Sequence, residues 1–175
     1  GELACKEMKL ASMSFKDNRL QVFANDNHIG VGYRFDNNED LINRGEIIAV
    51  GDLDRELNDI VNLDFEILPS ALYLDAKEWK ILPAKVRMGG GDIKVDGIEI
   101  ASGEQRIRLA GETSRSQKDT MTLSLERFNI SGINHLTKSD LGINGNITGK
   151  VDLISPMNSI GLLADIICDS TMIAD

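Results

Sequence analysis

The sequence predicts a mainly β protein with mostly antiparallel strands, and three observations carry that expectation. Apolar and polar residues alternate with a period of two along most of the chain from about Val61 onward, the signature of strands with one apolar face. Tight-turn residues punctuate those runs: the 175 residues include 16 glycines against 3 prolines, which favours short turns over stiffened linkers. No long helical pattern is present, and parallel strands need crossovers that are usually helical, so the pairing must be mostly antiparallel.

Taken in order, the first sixty residues are the least regular. Residues 20–24 and 29–35 read as strands, the second weakened by Gly30 and Gly32. Residues 52–62 carry Leu53, Leu57, Ile60 and Val61 at helical spacing and read as a short helix. Val61, Leu63, Phe65 and Ile67 then share one face of a strand whose other face is Asn62, Asp64 and Glu66. Ala84, Val86 and Met88 alternate with Lys85 and Arg87, and Gly89-Gly90-Gly91-Asp92 makes a turn. Ile93 and Val95 follow, with a second hairpin turn expected at Asp96-Gly97 before Ile98 and Ile100.

Ile107 and Leu109 make a strand ending at Gly111, and the polar residues 112–120 read as a loop. Met121, Leu123 and Leu125 alternate with Thr122, Ser124 and Glu126. Phe128 and Ile130 fall on the opposite parity, which predicts a bulge near Arg127. Residues 132–141 break the alternation, with a short helical turn expected around Ile133 to Leu136. From Ile143 to Leu153 every odd position is apolar or glycine and every even one polar, the clearest amphipathic strand in the chain. Ser155-Pro156-Met157-Asn158 is a turn, and Leu162, Ala164, Ile166 and Cys168 form a last strand. The total is roughly ten short strands.

Composition narrows the function. A net charge of −9 argues against nucleic acid and against adhesion to an anionic membrane surface. Cys5 and Cys168 have no metal-site spacing and read as two free thiols, with one end-to-end bridge as the alternative. No apolar run reaches the ~18–20 residues of a membrane span. The start lacks a leader pattern, which suggests a cytosolic protein or a piece trimmed to its soluble part, and the unmarked end favours the piece.

Candidate chemistry is sparse. His28 and His135 lack partners at nucleophile-motif spacing and read as surface histidines. The carboxylates are dispersed, as on a solvated face, so a glycosidase pair ranks last. Gly89–Asp92 with Asp96-Gly97 does not match a calcium repeat, and Asn129 and Asn146 head glycosylation tripeptides of a kind that arises often by chance. Trp79 reads as a ring capping a packed sheet more than as an exposed partner anchor. The expectation is a protein that is not an enzyme and needs no metal or cofactor.

Several motifs fall in a recognisable order. Trp79-Lys80-Ile81 precedes the strand pair from Gly91 to Ile100. Gln105-Arg106-Ile107-Arg108-Leu109-Ala110-Gly111 follows, then the strand from Met121 to Ile130. Leu141-Gly142-Ile143-Asn144-Gly145-Asn146-Ile147-Thr148-Gly149 closes the series, with Ser155-Pro156 in the next turn. Over about half the chain, residues 79–167, this order resembles the TamB and AsmA-like proteins of bacterial envelopes, especially their Bacteroidetes forms. Residues 1–60 match less clearly, and the family's amino-terminal membrane helix and carboxy-terminal part have no counterpart.

The resemblance implies a curled antiparallel sheet forming a U-shaped apolar trough, with residues 1–175 a single all-β fragment of a longer periplasmic protein anchored in the inner membrane. It implies phospholipid acyl chains as partners, carried between inner and outer membranes in support of outer-membrane biogenesis. It also implies an outer-membrane barrel protein as a partner of the full-length chain. The expected groove lining is Val61, Leu63, Phe65, Ile67, Ile107, Leu109, Met121, Leu123, Leu125, Ile143, Ile147, Val151 and Leu153. Alternation alone does not separate this from a two-layer β-sandwich, whose functional counterpart is a periplasmic or extracellular binding module. Low aromatic content (5%) and inward Gly145 and Gly149 lean toward the curled sheet.

Overall fold

The computed structural model describes residues 1–10, 13–37, 43–55, 61–74, 77–115, 119–130, 143–157 and 160–173. The described residues form thirteen strands and no helix: β1 (Glu2–Leu10), β2 (Met13–Asn25), β3 (His28–Asp36), β4 (Asn43–Arg55), β5 (Val61–Ile67), β6 (Ser70–Leu74), β7 (Lys77–Ile81), β8 (Ala84–Gly89), β9 (Asp92–Ser102), β10 (Gln105–Thr113), β11 (Thr120–Asn129), β12 (Ile143–Ile154) and β13 (Gly161–Ile173). All belong to one antiparallel sheet, in the order β1-β2-β3-β4-β5-β8-β9-β10-β11-β12-β13, with β6 and β7 bridging β4 and β9. There is no second layer among the described residues, so the sandwich alternative does not hold.

The apparent detour through β6 and β7 is a proline effect. β5 pairs with β8 up to Ile67↔Ala84, and β6 pairs with β7 from Ser70↔Ile81 in the same register. They are two long strands of one hairpin, each interrupted once, at Leu68-Pro69 and at Leu82-Pro83. Proline has no N–H to donate to a ladder, so neither strand can run through its proline unbroken. The residue before each proline keeps its outward bond: Leu68 N–H donates to Ile48 O and Leu82 N–H to Glu99 O, both at 2.9 Å. Counted this way the protein is a simple up-and-down meander, which needs no crossover.

Bends elsewhere follow the same logic without proline. In β9 the register against β10 shifts between Leu109↔Ile98 and Gly111↔Val95, leaving an extra residue at Asp96-Gly97. Gly97 has φ of 90°, a conformation that costs other residues a Cβ clash. Asp96-Gly97 is therefore a bulge inside one continuous strand and not the hairpin turn expected from the sequence. A bulge does fall at Arg127, as the parity change predicts: the register shifts between Leu125 and Phe128, and Arg127 has φ of 46°.

Two other expectations change. Residues 52–55 are the end of β4 and residues 61–62 the start of β5, so this stretch is not a helix where it is described. Its apolar spacing suits either period, and pairing with β3 and β5 decides the outcome. The helical turn expected around Ile133 to Leu136 lies outside the described residues. The strands are also longer than expected, thirteen residues each in β2, β4 and β13.

The sheet is concave on its apolar side, where the rings of Trp79 on β7 and Phe128 on β11 lie 6.3 Å apart across two intervening strands, and glycines let neighbouring strands approach closely. A Cβ on Gly149 of β12 would lie 2.2 Å from Asp165 O and 2.7 Å from Ile166 Cα of β13. A Cβ on Gly111 of β10 would lie 2.2 Å from Thr120 O, beside β11. In both cases the obstructing backbone belongs to the residue paired with the glycine in the ladder and the residue before it, so these positions admit no side chain beside the neighbouring strand. The chain exposes 11591 Å² of surface, against about 8,400 Å² for a compact globule of 19.2 kDa. An open, curved sheet accounts for the excess.

Candidate functional site

Residues opposite one another in a ladder share a face, so the registers define the apolar face without reference to hydropathy. One row crosses ten strands: Ala24, Ile29, Gly51, Phe65, Val86, Val95, Gly111, Met121, Leu153 and Leu162. No member is polar. A neighbouring row runs Ile98, Leu109, Leu123, Val151 and Ala164, and another Ile100, Ile107, Leu125, Gly149 and Ile166.

Of the thirteen residues expected to line a groove, the twelve other than Ile143 fall on this one face. Val61, Leu63, Phe65 and Ile67 come from β5, Ile107 and Leu109 from β10, and Met121, Leu123 and Leu125 from β11. Ile147, Val151 and Leu153 come from β12, whose first residue, Ile143, pairs with Ile173. The burial of the twelve is partial. Val61 is 41% exposed, Ile147 is 8% exposed, and the others lie between. Among the described residues no large side chain is fully enclosed. These side chains stand side by side on a surface; they do not interlock with an opposing layer.

The densest packing sits at one end of the face. Phe15, Phe35, Leu72 and Ile81 are buried together, flanked by Tyr33, Ile47, Ile67, Leu74, Trp79 and Ile100. The Phe15 and Phe35 rings meet edge to face at 5.0 Å. Trp79 of β7 and Phe128 of β11 lie 6.3 Å apart although β9 and β10 run between them. Rings three strands apart along the sheet meet this closely only where the face is concave. Trp79 is a packed ring, with the Lys77 ammonium 5.6 Å from its centre.

Sequence reasoning missed most of this end. The alternation of Leu72 and Leu74 with Ala71 and Tyr73, and of Trp79 and Ile81 with Glu78 and Lys80, is present but only five residues long on each strand. Buried Asn18 is the polar tie beneath it. Its amide donates to Phe15 O at 2.7 Å and Cys5 O at 3.3 Å, and it accepts from Tyr33 Oη at 2.7 Å. Burial holds the Tyr33 phenol above its ordinary titration range, with the Cys5 thiolate adding to the effect.

The opposite face is charged and cross-linked between strands. His28 Nδ1 lies 2.5 Å from Asp52 Oδ1, and Arg87 lies 3.3 Å from Asp64 and 4.0 Å from Asp96. Asp52 and Asp64 face each other in the β4–β5 ladder, so the flanking His28 and Arg87 offset a like-charge pair. Arg106 contacts Glu99 at 3.5 Å and Glu126 at 3.2 Å, and the Arg44 guanidinium lies 4.5 Å from the Tyr73 ring centre. At β1, the Ser14 hydroxyl donates to Glu7, which lowers that carboxyl below its usual range, helped by Lys9. These contacts are exposed and hold register more than they add stability.

His28 and Asp52 form a pair and not a triad among the described residues; His135 lies outside them. No group of three or more metal-binding side chains occurs among the described residues. Cys5 and Cys168 are exposed free thiols on the two edge strands. The chain finds no match among models of known protein families, curated proteins or solved structures.

Proposed function

We propose that the apolar face is a floor on which phospholipid acyl chains lie, in an envelope protein of the TamB and AsmA-like kind that passes lipid between inner and outer membranes and so supports outer-membrane biogenesis. The observation that carries this reading is the row from Ala24 to Leu162: ten strands wide, without a polar residue, and with no second sheet or helix laid over it among the described residues. A soluble protein rarely leaves so much apolar surface without an occupant.

The energetics favour a conduit over a tight receptor. Burying a methylene is worth ~0.8 kcal/mol, so a chain of about fourteen gains ~11 kcal/mol on leaving water for either a bilayer or the trough. The exchange between these two hosts is therefore nearly balanced. Aliphatic contacts have no preferred direction, so a chain can slide from one row to the next without breaking a specific bond.

The test compares neighbours on one strand. Leu123 and Ser124 of β11 point to opposite faces. A fluorescent acyl probe is expected to bind the purified protein and to lose at least tenfold affinity in Leu123→Asp while Ser124→Asp binds normally. Lipid extracted from the purified protein gives a second readout. Equal binding by both variants, or no binding by the parent protein, overturns the proposal.

A further inference from the structure

The polar face of the sheet holds a cleft of about 440 Å³, spread over β2, β3, β4, β5 and β8. That volume lies within the ~300–1,000 Å³ typical of small-ligand sites. The registers set two rows across it. One runs Phe23, Gly30, Val50, Glu66 and Lys85, and the other His28, Asp52, Asp64 and Arg87. Phe23 is an aromatic ring on this polar face, and it is 61% exposed. A Cβ at Gly30 would overlap the ring, so Phe23 lies over bare backbone, in one row with Val50. Two ion pairs, His28–Asp52 and Arg87–Asp64, tie up the second row. Glu66 and Lys85 face each other in the β5–β8 ladder, yet no ion pair joins them among the described residues. Both are free to bond a ligand.

We propose that this cleft binds a saccharide, an uncharged ring with hydroxyls at its rim and C–H bonds on its faces. Charge selects that class. Asp52, Asp64 and Glu66 repel an anion, and Lys85 and Arg87 repel a cation, whereas an uncharged ligand meets neither penalty. A purely apolar ligand would strip water from the same charges without replacing its hydrogen bonds. Hydroxyls both donate and accept, so they satisfy the Glu66 carboxylate and the Lys85 ammonium together. The C–H face of a sugar carries slight positive charge and stacks on the negative face of an aromatic ring, the part Phe23 supplies. The His28, Asp52, Asp64 and Arg87 side chains are each more than half exposed, so the site is shallow and its affinity modest. The cleft lies on the face opposite the apolar floor, and the inference does not depend on the lipid reading.

Maltotriose, cellotriose and chitotriose are the probes, titrated into the isotope-labelled protein and followed by amide shifts in NMR. At least one is expected to bind with Kd of ~1–10 mM, shifting amides of β2 to β5 and β8, and with no dependence on ionic strength. Phe23→Ala is expected to weaken that binding about tenfold, and Glu66→Gln, at an exposed position, about threefold. Should Phe23→Ala unsettle β3 by uncovering Gly30, Glu66→Gln decides alone. Leu82→Ala, which trims an exposed side chain outside the cleft, is expected to leave the affinity unchanged. Inorganic phosphate and calcium are expected to shift no amide of the cleft. No binding by any of the three sugars, an affinity that survives Glu66→Gln or falls with Leu82→Ala, or a cleft that takes phosphate or calcium instead overturns the proposal.

Discussion

Two stretches of one apolar face meet different fates. Around Phe15, Phe35, Leu72 and Ile81 the side chains close on one another, with Phe35 only 3% exposed. Across β10, β11 and β12 the equivalent positions, Leu109, Leu123 and Val151, are only half-buried, with no second layer above them. The alternation that creates both is the same. Ring size separates them, because aromatic side chains reach across a curved sheet and fill the space above their neighbours, while leucine and valine reach only the adjacent strand. Period two defines a face; it does not say whether the face is sealed.

The strongest break of that comparison is a truncation at each end. Phe35→Ala is expected to cost about 3–5 kcal/mol, the range for emptying a packed ring site. Leu109→Ala on the floor is expected to cost less, about 1–2 kcal/mol, because no opposing layer packs on it and truncation leaves no enclosed cavity. Urea unfolding of both variants measures the difference, and equal costs would mean the floor is as closed as the aromatic end.

An acid sharpens the same contrast. Ile81→Asp places a charge among buried rings and is expected to abolish cooperative unfolding. Leu123→Asp is expected to keep its melting transition within a few degrees of the parent while weakening acyl-probe affinity at least tenfold, consistent with ~1.5–3 kcal/mol for a buried leucine. Ile147 would be a poor probe, since it is 8% exposed and an aspartate there confuses binding with folding.

The close approach of β12 to β13 has its own test. Gly149→Ala drives a methyl group into the β13 backbone at Asp165 and Ile166, where nothing short of strand movement relieves it. The expected loss is about 1–3 kcal/mol, with amide exchange in β13 accelerating more than in β3. Exchange unchanged in β13 would show that the pairing does not depend on this close approach.

The antiparallel β architecture and the shared face of the lining residues other than Ile143 were legible because period two survives any degree of curling. The Arg127 bulge was legible for the same reason, as a change of parity. That the strands form one sheet was not legible, because alternation suits a sandwich equally. The Asp96-Gly97 bulge was not, because a left-handed glycine serves a turn or a bulge equally and only pairing with β10 decides. Residues 52–55 misled in a related way: Leu53, Leu57 and Ile60 suit a helix until β3 and β5 claim the neighbouring backbone. Packing at the aromatic end was invisible because Phe15, Phe35 and Trp79 are far apart in sequence, and no local pattern marks residues that meet only when the sheet bends.

Tyr33 offers the gentlest probe of the packed end. Its hydroxyl donates to Asn18 Oδ1, and Asn18 in turn ties Phe15 and Cys5 through its amide. Ionisation removes the donor and sets a phenolate against a carbonyl oxygen, which reinforces the burial that already raises its pKa. A raised native pKa means the folded state prefers the neutral phenol. The stabilising contribution is therefore complete below about pH 10, where an unfolded tyrosine begins to ionise, and is lost as pH rises through the raised native value. Phenolate absorbance during alkaline titration is expected to show one late tyrosine, absent in Tyr33→Phe. The same substitution is expected to flatten the alkaline fall in stability, while Leu123→Ala leaves that fall unchanged, because its ladder partners Leu109 and Val151 carry no ionisable group.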